Sequence, residues 1–122
     1  MPTDTTATNL AKVREWEETF NHDIDRMVHE LYAPDANLGG AVMGHEKFLK
    51  FERRVLAAAP KREMRVKQTH VAGDTVVVEA ILVDPDKGAD WKIPFCAVLT
   101  FADGKIVRDQ TYADFSQWPG MG

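Results

Sequence analysis

The chain has 122 residues, 44% of them hydrophobic and 28% charged, and a formal net charge of −4 at pH 7, which is the composition of one ordinary globular domain. Its positive charges are interspersed with negative ones, so nucleic acid, which binds to a clustered positive face, is not an expected partner. No apolar run approaches the ~20 residues of a membrane span and the first residues lack a signal-peptide pattern, so we expect no membrane partner either.

Helical spacing runs through the first half of the chain. Residues 1–8 are polar and Thr-rich, which predicts a flexible N-terminal arm followed by a single domain over residues 9–122. The first helix of that domain is indicated by apolar residues three or four positions apart, namely Leu10, Val13, Trp16 and Phe20.

Two more helices are predicted further along. Asp23 is a candidate N-cap for the second helix, which stops near Pro34 because proline disfavours a helical residue before it. Residues 36–43 are interrupted by glycine and predict a weak strand or a loop. The third helix follows Gly44. Its buried stripe comprises Phe48, Phe51 and Val55.

A side-chain period of two takes over in the second half of the chain. It predicts four antiparallel strands, over residues 64–71, 75–83, 91–101 and 105–115. Asp103-Gly104 fits the tight turn of a hairpin between the last two strands. Helices followed by a meander of strands predict an α+β domain, in which three helices pack on one face of a curved antiparallel sheet.

The strand over residues 75–83 is apolar on both faces. Its alternating residues fall into two sets, Val76, Val78, Ala80 and Leu82 on one face, and Val77, Ile81 and Val83 on the other. Because the helices cover only one face of the sheet, we expect a homodimer through the other, convex face. The alternative is an apolar strand with a few tolerated exposed valines.

Short motifs over roughly residues 10–115 carry a resemblance to a known family. They are Phe20-Asn-His-Asp-Ile-Asp, Leu31-Tyr-Ala-Pro-Asp-Ala, Gly44-His-Glu-Lys-Phe, Ala72-Gly-Asp-Thr-Val-Val-Val-Glu, and Phe101-Ala-Asp-Gly-Lys-Ile-Val with Tyr112-Ala-Asp. On these motifs the chain resembles the NTF2-like superfamily, and within it the SnoaL-like group, which includes polyketide cyclases and is related to ketosteroid isomerases and limonene-epoxide hydrolases. The resemblance implies a cone-shaped, cystatin-like fold around a deep apolar pocket, with no cofactor.

The resemblance also implies which side chains line the pocket. The strand residues expected to face inward are Val76, Val78, Ala80, Cys96, Val98, Asp109, Thr111 and Ala113. Tyr32 and Phe51 approach from the helices, with Trp16 near the mouth. These side chains make an apolar small molecule the expected ligand. The simpler interpretation of the aromatic residues is that they pack in the hydrophobic core.

The catalytic groups of the two related enzyme classes are missing from this chain. The position of the isomerase general-base aspartate falls near Gly39-Gly40, and the position of the oxyanion-hole acid falls at about Cys96. The arginine and aspartate of the epoxide hydrolases correspond to Ala80 and Leu82. Because this fold hosts many activities, function has to be argued from the site.

Asp109 is the first candidate for a catalytic group. In a dry cavity, desolvation raises the pKa of a carboxyl group toward neutrality, which suits a general acid or base. A register slip of one residue would instead turn Asp109 outward. A bulge after Asp109 would exchange the inward-facing and outward-facing side chains of the rest of the strand, and Asp114 would then be the acid in the pocket.

The remaining polar candidates carry weaker signals. Tyr32 is a candidate hydrogen-bond donor, and His70 is a candidate partner of Asp109 if its strand face turns inward, although an ordinary strand-end histidine is the simpler interpretation. Tyr112 is expected in the dimer interface. Cys96 is expected to be an inert buried thiol. No metal-ligand spacing of histidines or cysteines occurs, so we expect no metal.

Three functions follow from this sequence, and the third, an adaptor whose convex sheet face binds another protein, rests only on the strand that is apolar on both faces. The first is a SnoaL-like enzyme of isomerase, cyclase or hydrolase type, which would use Asp109 for proton transfer on an apolar carbonyl or polycyclic compound. The second is a protein of the same fold that binds a small ligand without chemistry. The single cysteine excludes an intrachain disulfide and fits a reducing cytoplasm.

Overall fold

The computed structural model describes residues 5–118. Its helices are α1 at Thr5–His22, α2 at Ile24–Arg26, which continues directly into a π-helical turn at Met27–Leu31, and α3 at Gly44–Ala58. Residues 5–8 of the predicted arm are therefore helical, whereas residues 1–4 of the arm and residues 119–122 of the predicted domain lie outside the described residues.

Six strands form one sheet. They are β1 at Tyr32–Leu38, β2 at Ala41–Val42, β3 at Glu63–Ala72, β4 at Thr75–Val83, β5 at Lys92–Ala102 and β6 at Lys105–Ala113. Their order across the sheet is β2-β1-β6-β5-β4-β3, with β1 parallel to β6 and every other pair antiparallel. The sheet is curved and open, so the predicted α+β fold of three helices on a curved sheet is confirmed.

The segment between the second and third helices differs from its prediction. The helical stretch ends at Leu31 rather than near Pro34, because Tyr32 adopts extended backbone with φ −107° and ψ 137°. Residues 32–38 then pair in parallel with β6, and the short β2 turns back on β1. A parallel partner distant in sequence leaves no local pattern, which is why this part of the sheet was predicted only as a weak strand or a loop.

The concave face of the sheet carries the core. Cross-strand register sets which residues share that face, since directly opposed residues point to the same side. The fully buried members are Val76, Val78 and Leu82 of β4, Ala97 and Leu99 of β5, and Ile106 of β6. Val13, Trp16 and Phe20 of α1 pack against them. Within residues 5–118, no helix is both long and apolar enough to cross a membrane.

Two bulges decide which way the side chains of β6 and β3 point. On β6, Ile106 pairs with Phe101 and Arg108 pairs with Thr100, so Val107 is the extra residue. On β3, Val66 pairs with Ala80 and Gln68 pairs with Glu79, which leaves Lys67 extra. Each bulge exchanges the two faces of its strand from that point onward.

Candidate active site

A cavity of about 260 Å³ lies between the helices and the concave face of the sheet. Its lining comprises Trp16, Phe20, Met27, Phe48, Phe51 and Glu52 from the helices, Tyr32, Leu38, Met64, Phe95, Asp109 and Thr111 from the sheet, and Gly39, Met43, Phe115 and Trp118 from connecting segments. Gly39 and Phe115 are exposed, so they mark where the cavity opens to solvent. The lining is mostly apolar, as in sites that bind small organic molecules.

Asp109 belongs to a chain of hydrogen bonds among residues that line this cavity. The indole Nε1 of Trp16 donates to the hydroxyl of Tyr32 at 2.9 Å, and that hydroxyl donates to Asp109 Oδ2 at 2.6 Å. The hydroxyl of Thr111 donates to Asp109 Oδ1 at 2.7 Å. Both carboxyl oxygens therefore accept hydrogen bonds, which is the pattern of an ionised carboxylate.

Local structure brings Tyr32 and Asp109 together from distant parts of the chain. The π-helical turn ends immediately before Tyr32, and the parallel pairing of β1 with β6 sets Tyr32 level with Ile106. The side chain of His45 donates from Nε2 to the carbonyl oxygen of Tyr32 at 2.8 Å. The ring of Phe48 packs edge-on against the Tyr32 ring, with 4.7 Å between centroids. Tyr32 is thus fixed at both its backbone and its ring.

Burial raises the pKa values of both members of this pair. The pKa of Asp109 lies above its ordinary value because desolvation outweighs the hydrogen bonds from Tyr32 and Thr111, which act in the opposite direction. The pKa of Tyr32 is raised by burial and by the neighbouring charge of Asp109. The tyrosine therefore keeps its proton, and the hydrogen that we expected to reach a ligand is engaged by Asp109.

Glu52 is a second carboxyl group in the cavity lining, and the sequence interpretation missed it. Its side chain is 7% exposed, and its Oε2 atom is buried without a hydrogen-bond partner among the described residues. Burial raises the pKa of Glu52 to about 7, with Arg62 acting to lower it and Asp109 to raise it. The available signal was its spacing: residue 52 lies four positions after Phe48, on the apolar stripe of α3.

Arg62 is the cation whose charge lowers the pKa of Glu52. It is 3% exposed, and its guanidinium carbon lies 4.0 Å from the centroid of the Phe20 ring. Its Nε and Nη2 atoms are buried without hydrogen-bond partners in the described part of the chain. Burial lowers the pKa of Arg62, and the charge of Glu52 partly offsets this effect. Within residues 5–118, no ion pair shorter than 4.0 Å joins the two side chains.

The structure gathers five of the predicted site residues at the cavity and leaves the other five elsewhere. Asp109, Tyr32, Trp16, Phe51 and Thr111 line it. Val78 and Ala113 lie on the concave face but not in the lining, since Val78 is fully buried in the core and Ala113 sits opposite Phe95.

The predicted orientations of Cys96 and Val98 are wrong. Ala97 lies directly opposite Val78 on β4 and Thr111 on β6, so Ala97 shares their inward face. Cys96 and Val98 alternate with it and point to the convex side, where both are half-buried. The error came from assigning Cys96 and Val98 to the same face as Asp109. The residue directly opposite Asp109 across the hairpin is Leu99.

His70 is also placed away from the cavity. The bulge at Lys67 turns the following residues of β3 over, so His70 lies opposite Val77 on the convex side. There its Nε2 makes a half-exposed hydrogen-bond contact with Glu79. An inward His70 that partners Asp109 is therefore wrong.

Asp114 lies outside the cavity, because β6 is regular after Asp109 and ends at Ala113. Its carboxylate accepts from Ser116 N at 3.1 Å, Ser116 Oγ at 2.6 Å and Gln117 Nε2 at 2.9 Å. These bonds lower the pKa of Asp114. They also shape the 3₁₀ turn at Phe115–Gln117, which carries Phe115 and Trp118 to the rim of the cavity.

The C-terminal aromatic residues are further cavity residues that the sequence interpretation missed. The Trp118 ring packs edge-on against Phe95, with 5.5 Å between centroids, and its Nε1 is buried without a partner among the described residues. No periodicity in the sequence could have placed these residues at the cavity. Among residues 5–118, no three His, Cys, Asp or Glu side chains are grouped to hold a metal ion.

Comparison with known proteins identifies a matching sequence family and several similar structures. Residues 13–109 match the sequence model of the SnoaL-like domain. A candidate SnoaL-like polyketide cyclase from Jannaschia sp. CCS1 has a similar structure, with a TM-score of 0.77, 20% identity, and coverage of 93% of this chain and 90% of that one. For IdmH, a candidate polyketide cyclase from Streptomyces antibioticus, the TM-score is 0.77, the identity 18%, and the coverage 95% and 96%.

A third similar structure comes from Catenulispora acidiphila DSM 44928. It is a protein with a ketosteroid isomerase-like fold in complex with trimethylamine, at a TM-score of 0.71, 24% identity, and coverage of 88% of this chain and 91% of that one. At such identities the likeness establishes a shared fold. No protein of curated function matches the chain.

Proposed function

This chain belongs to the SnoaL-like domain family, as its sequence motifs predicted, and we propose that it is a small-molecule enzyme that uses Asp109 as an acid–base group on an apolar carbonyl compound. The observation that carries the proposal is the carboxylate of Asp109, held by Tyr32 and Thr111 in the wall of a mostly apolar cavity. A carboxylate with two oriented donors and a raised pKa is suited to take a proton from carbon and return it.

The cavity supports a compact ligand. A cavity of about 150 Å³ holds a benzene ring, so about 260 Å³ suits one to two fused rings. The aromatic walls formed by Trp16, Phe48 and Phe51 favour a flat, apolar compound. A larger polycyclic compound would extend through the opening between Gly39 and Phe115.

Asp109 has lone pairs to spare for this chemistry. An ionised carboxylate has about four acceptor sites, and Tyr32 and Thr111 occupy two of them. A proton on a carbon next to a carbonyl group would be transferred to a remaining site, which leaves an enolate whose carbon can be reprotonated or can attack a second carbonyl. Isomerisation and cyclisation are the two outcomes, and one carboxylate serves both.

Turnover of a panel of bicyclic ketones, 1,3-diketones and polyketide-like carbonyl compounds tests the proposal. Asp109→Asn keeps the shape of the side chain and removes the base, and we expect it to lower the rate by roughly 100-fold or more. Asp90→Asn is the matched control, because Asp90 is exposed in the loop before β5. Turnover that Asp109→Asn leaves unchanged would contradict the proposal.

Ligand binding without chemistry is the second candidate, and one observation favours it. The Tyr32 hydroxyl donates its hydrogen to Asp109, so the hydrogen bonds of both side chains are formed without a ligand. A panel compound that binds to the cavity and is never converted by the wild-type protein would favour this candidate over an enzyme.

We also propose that the convex face of the sheet pairs with a second copy of the chain. Val77 and Ile81 of β4 are half-buried there, Val98 lies opposite Val77, and Tyr112 is 60% exposed. Ile81→Asp should shift the sedimenting species from dimer to monomer, whereas Val42→Asp on the distant β2 should not. A wild-type monomer, or an unchanged dimer of the Ile81 variant, would contradict this interface.

A reducing, cytoplasmic location is part of the same proposal. It is supported by Cys96, the single cysteine of the chain, which is a free thiol on the convex side.

A further inference from the structure

Two carboxyl groups line the cavity, and the structure treats them differently. Asp109 accepts a hydrogen bond on each oxygen, from Tyr32 at 2.6 Å and from Thr111 at 2.7 Å. Glu52 faces the same cavity from α3, and its Oε2 has no hydrogen-bond partner in the described part of the chain. The first arrangement stabilises a carboxylate, and the second gives no such support to a negative charge.

We infer that Glu52 is a second catalytic carboxyl group, which donates a proton to the carbonyl oxygen of a ligand while Asp109 removes a proton from the adjacent carbon. This inference rests on the proposed function, and it adds the acid to a site in which only the base was evident. It also narrows the substrate class to enolisable ketones of about two rings, whose oxygen turns toward α3 and whose acidic carbon turns toward β6.

The charges around Glu52 support this division of roles. Asp109 of β6 faces it with a negative charge, Arg62 before β3 contributes a positive one, and Tyr32 of β1 stays neutral. Two carboxylates near each other in an apolar cavity resist a second ionisation, so one of them keeps its proton near neutral pH. Desolvation raises the pKa of Glu52 to about 7, so this group holds a transferable proton at neutral pH.

The step balances within the site. The C–H bond next to the carbonyl group breaks, its proton goes to Asp109, and its electron pair forms the C=C bond. The carbonyl π electrons move to oxygen, which takes the proton of Glu52, so the ligand becomes an enol. The protein then holds its proton on Asp109 instead of Glu52, and solvent exchange or the reverse step restores the starting state.

Deuterium exchange at the carbon next to the carbonyl group of 2-tetralone, followed by NMR in D₂O, tests the inference on the full chain. We expect Glu52→Gln to lower the saturated exchange rate by roughly 100-fold with little change in the 2-tetralone concentration at half-saturation. Glu46→Gln is the matched control, because Glu46 is an exposed acid of the same helix. In the wild-type protein the rate should fall as the pH rises through about 7, where Glu52 loses its proton.

The outcomes separate the inference from the proposal beneath it. Exchange that is lost in Asp109→Asn and unchanged in Glu52→Gln overturns the role of Glu52 and leaves the proposed function intact. Exchange that survives both substitutions, or no exchange by the wild-type protein, overturns both. A direct readout needs no turnover: the ¹³C signal of the Glu52 carboxyl group should titrate near pH 7 and shift to lower pH in Asp109→Asn. An ordinary midpoint in the wild-type protein overturns the inference.

Discussion

The two faces of the sheet each hold a carboxyl group that is hydrogen-bonded to a titratable side chain, yet only one of them lines a cavity. On the concave face, Asp109 accepts from Tyr32 in the wall of a cavity. On the convex face, Glu79 pairs with His70, with side-chain exposures of 52% and 49%. Within one copy of the chain, water screens the convex pair, whereas the concave pair is desolvated and its pKa values are displaced. Both pairs have a hydrogen bond, so it is the difference in burial that shifts the pKa values of the concave pair and suits it to proton transfer.

The largest effect expected from this difference is a pH dependence of stability that comes from Glu52. Its pKa is raised from 4.5 to about 7 in the folded protein, so between these values the folded state binds a proton that the unfolded state has lost. The contribution of the neutral side chain is fully present below about pH 4.5 and is lost as the pH rises through about 7. The loss amounts to about 3 kcal/mol at about 1.4 kcal/mol per unit.

Urea unfolding of the wild-type protein and Glu52→Gln at pH 5 and pH 8 measures this effect. The amide stays neutral, so the variant should gain about 2.5 kcal/mol relative to the wild-type protein between the two conditions. Glu79→Gln on the convex face is the control and should show no comparable gain, because Glu79 is half-exposed. Parallel stability profiles of the wild-type protein and Glu52→Gln would contradict the burial of a neutral Glu52.

Tyr32→Phe should give the next largest effect. It removes the acceptor of the Trp16 indole N–H, and a buried donor left without a partner costs about 1–3 kcal/mol. It also removes a donor to Asp109, so the pKa of Asp109 should rise further. Urea unfolding measures the first effect, and the ¹³C signal of the Asp109 carboxyl group measures the second.

The control for this substitution is Tyr112→Phe on the convex face, where the side chain is 60% exposed. We expect a change of about 0.5 kcal/mol or less. Equal effects of the two tyrosine substitutions would mean that the hydrogen-bond chain through Tyr32 contributes nothing special.

The sequence predicts the elements of this molecule better than the directions of its side chains. The strand over Thr75–Val83 was predicted with its observed bounds, because alternation, β-branched residues and flanking turns agree there. The inward orientation of Asp109 was also predicted, since β6 is regular from that residue to its end. Periodicity is reliable within an uninterrupted strand.

Errors arise where the face of a side chain on one strand has to be inferred from a residue on another strand. Cys96 was assigned to the face of Asp109, but the register of the hairpin aligns Asp109 with Leu99. His70 could have faced inward only if β3 had kept the phase of Val66, and the bulge at Lys67 breaks that phase, so the simpler interpretation of an ordinary strand-end histidine holds. Glu52 was overlooked because a charged residue on an apolar stripe is ordinarily read as a flanking residue, and only the fold reveals that the stripe closes a cavity.

A smaller effect is expected from Asp114→Ala, at the rim between the two faces. The substitution removes the acceptor that shapes the turn carrying Phe115 and Trp118. With these rings less firmly placed, 2-tetralone should bind several-fold more weakly, with the exchange rate at saturation unchanged. Titration of the bound ligand by NMR measures the affinity, with Asp90→Ala in the exposed loop before β5 as control. Unaltered affinity would mean that the turn is not part of the binding site.

The smallest effect belongs to the convex pair itself. His70→Gln removes the half-exposed contact with Glu79, and even a charged pair at such exposure contributes only between about 0 and 1 kcal/mol, because solvent screens it and ordering two mobile side chains costs entropy. We therefore expect urea unfolding to change by less than about 1 kcal/mol and the exchange of 2-tetralone to be unchanged across the pH range. His70 and Asp109 lie on opposite faces of one sheet, so any effect on exchange would have to pass through the buried core of β4 and β5. A fall in exchange comparable to that of Asp109→Asn would show that the two faces act together, and the contrast between a desolvated site and a screened pair would no longer hold.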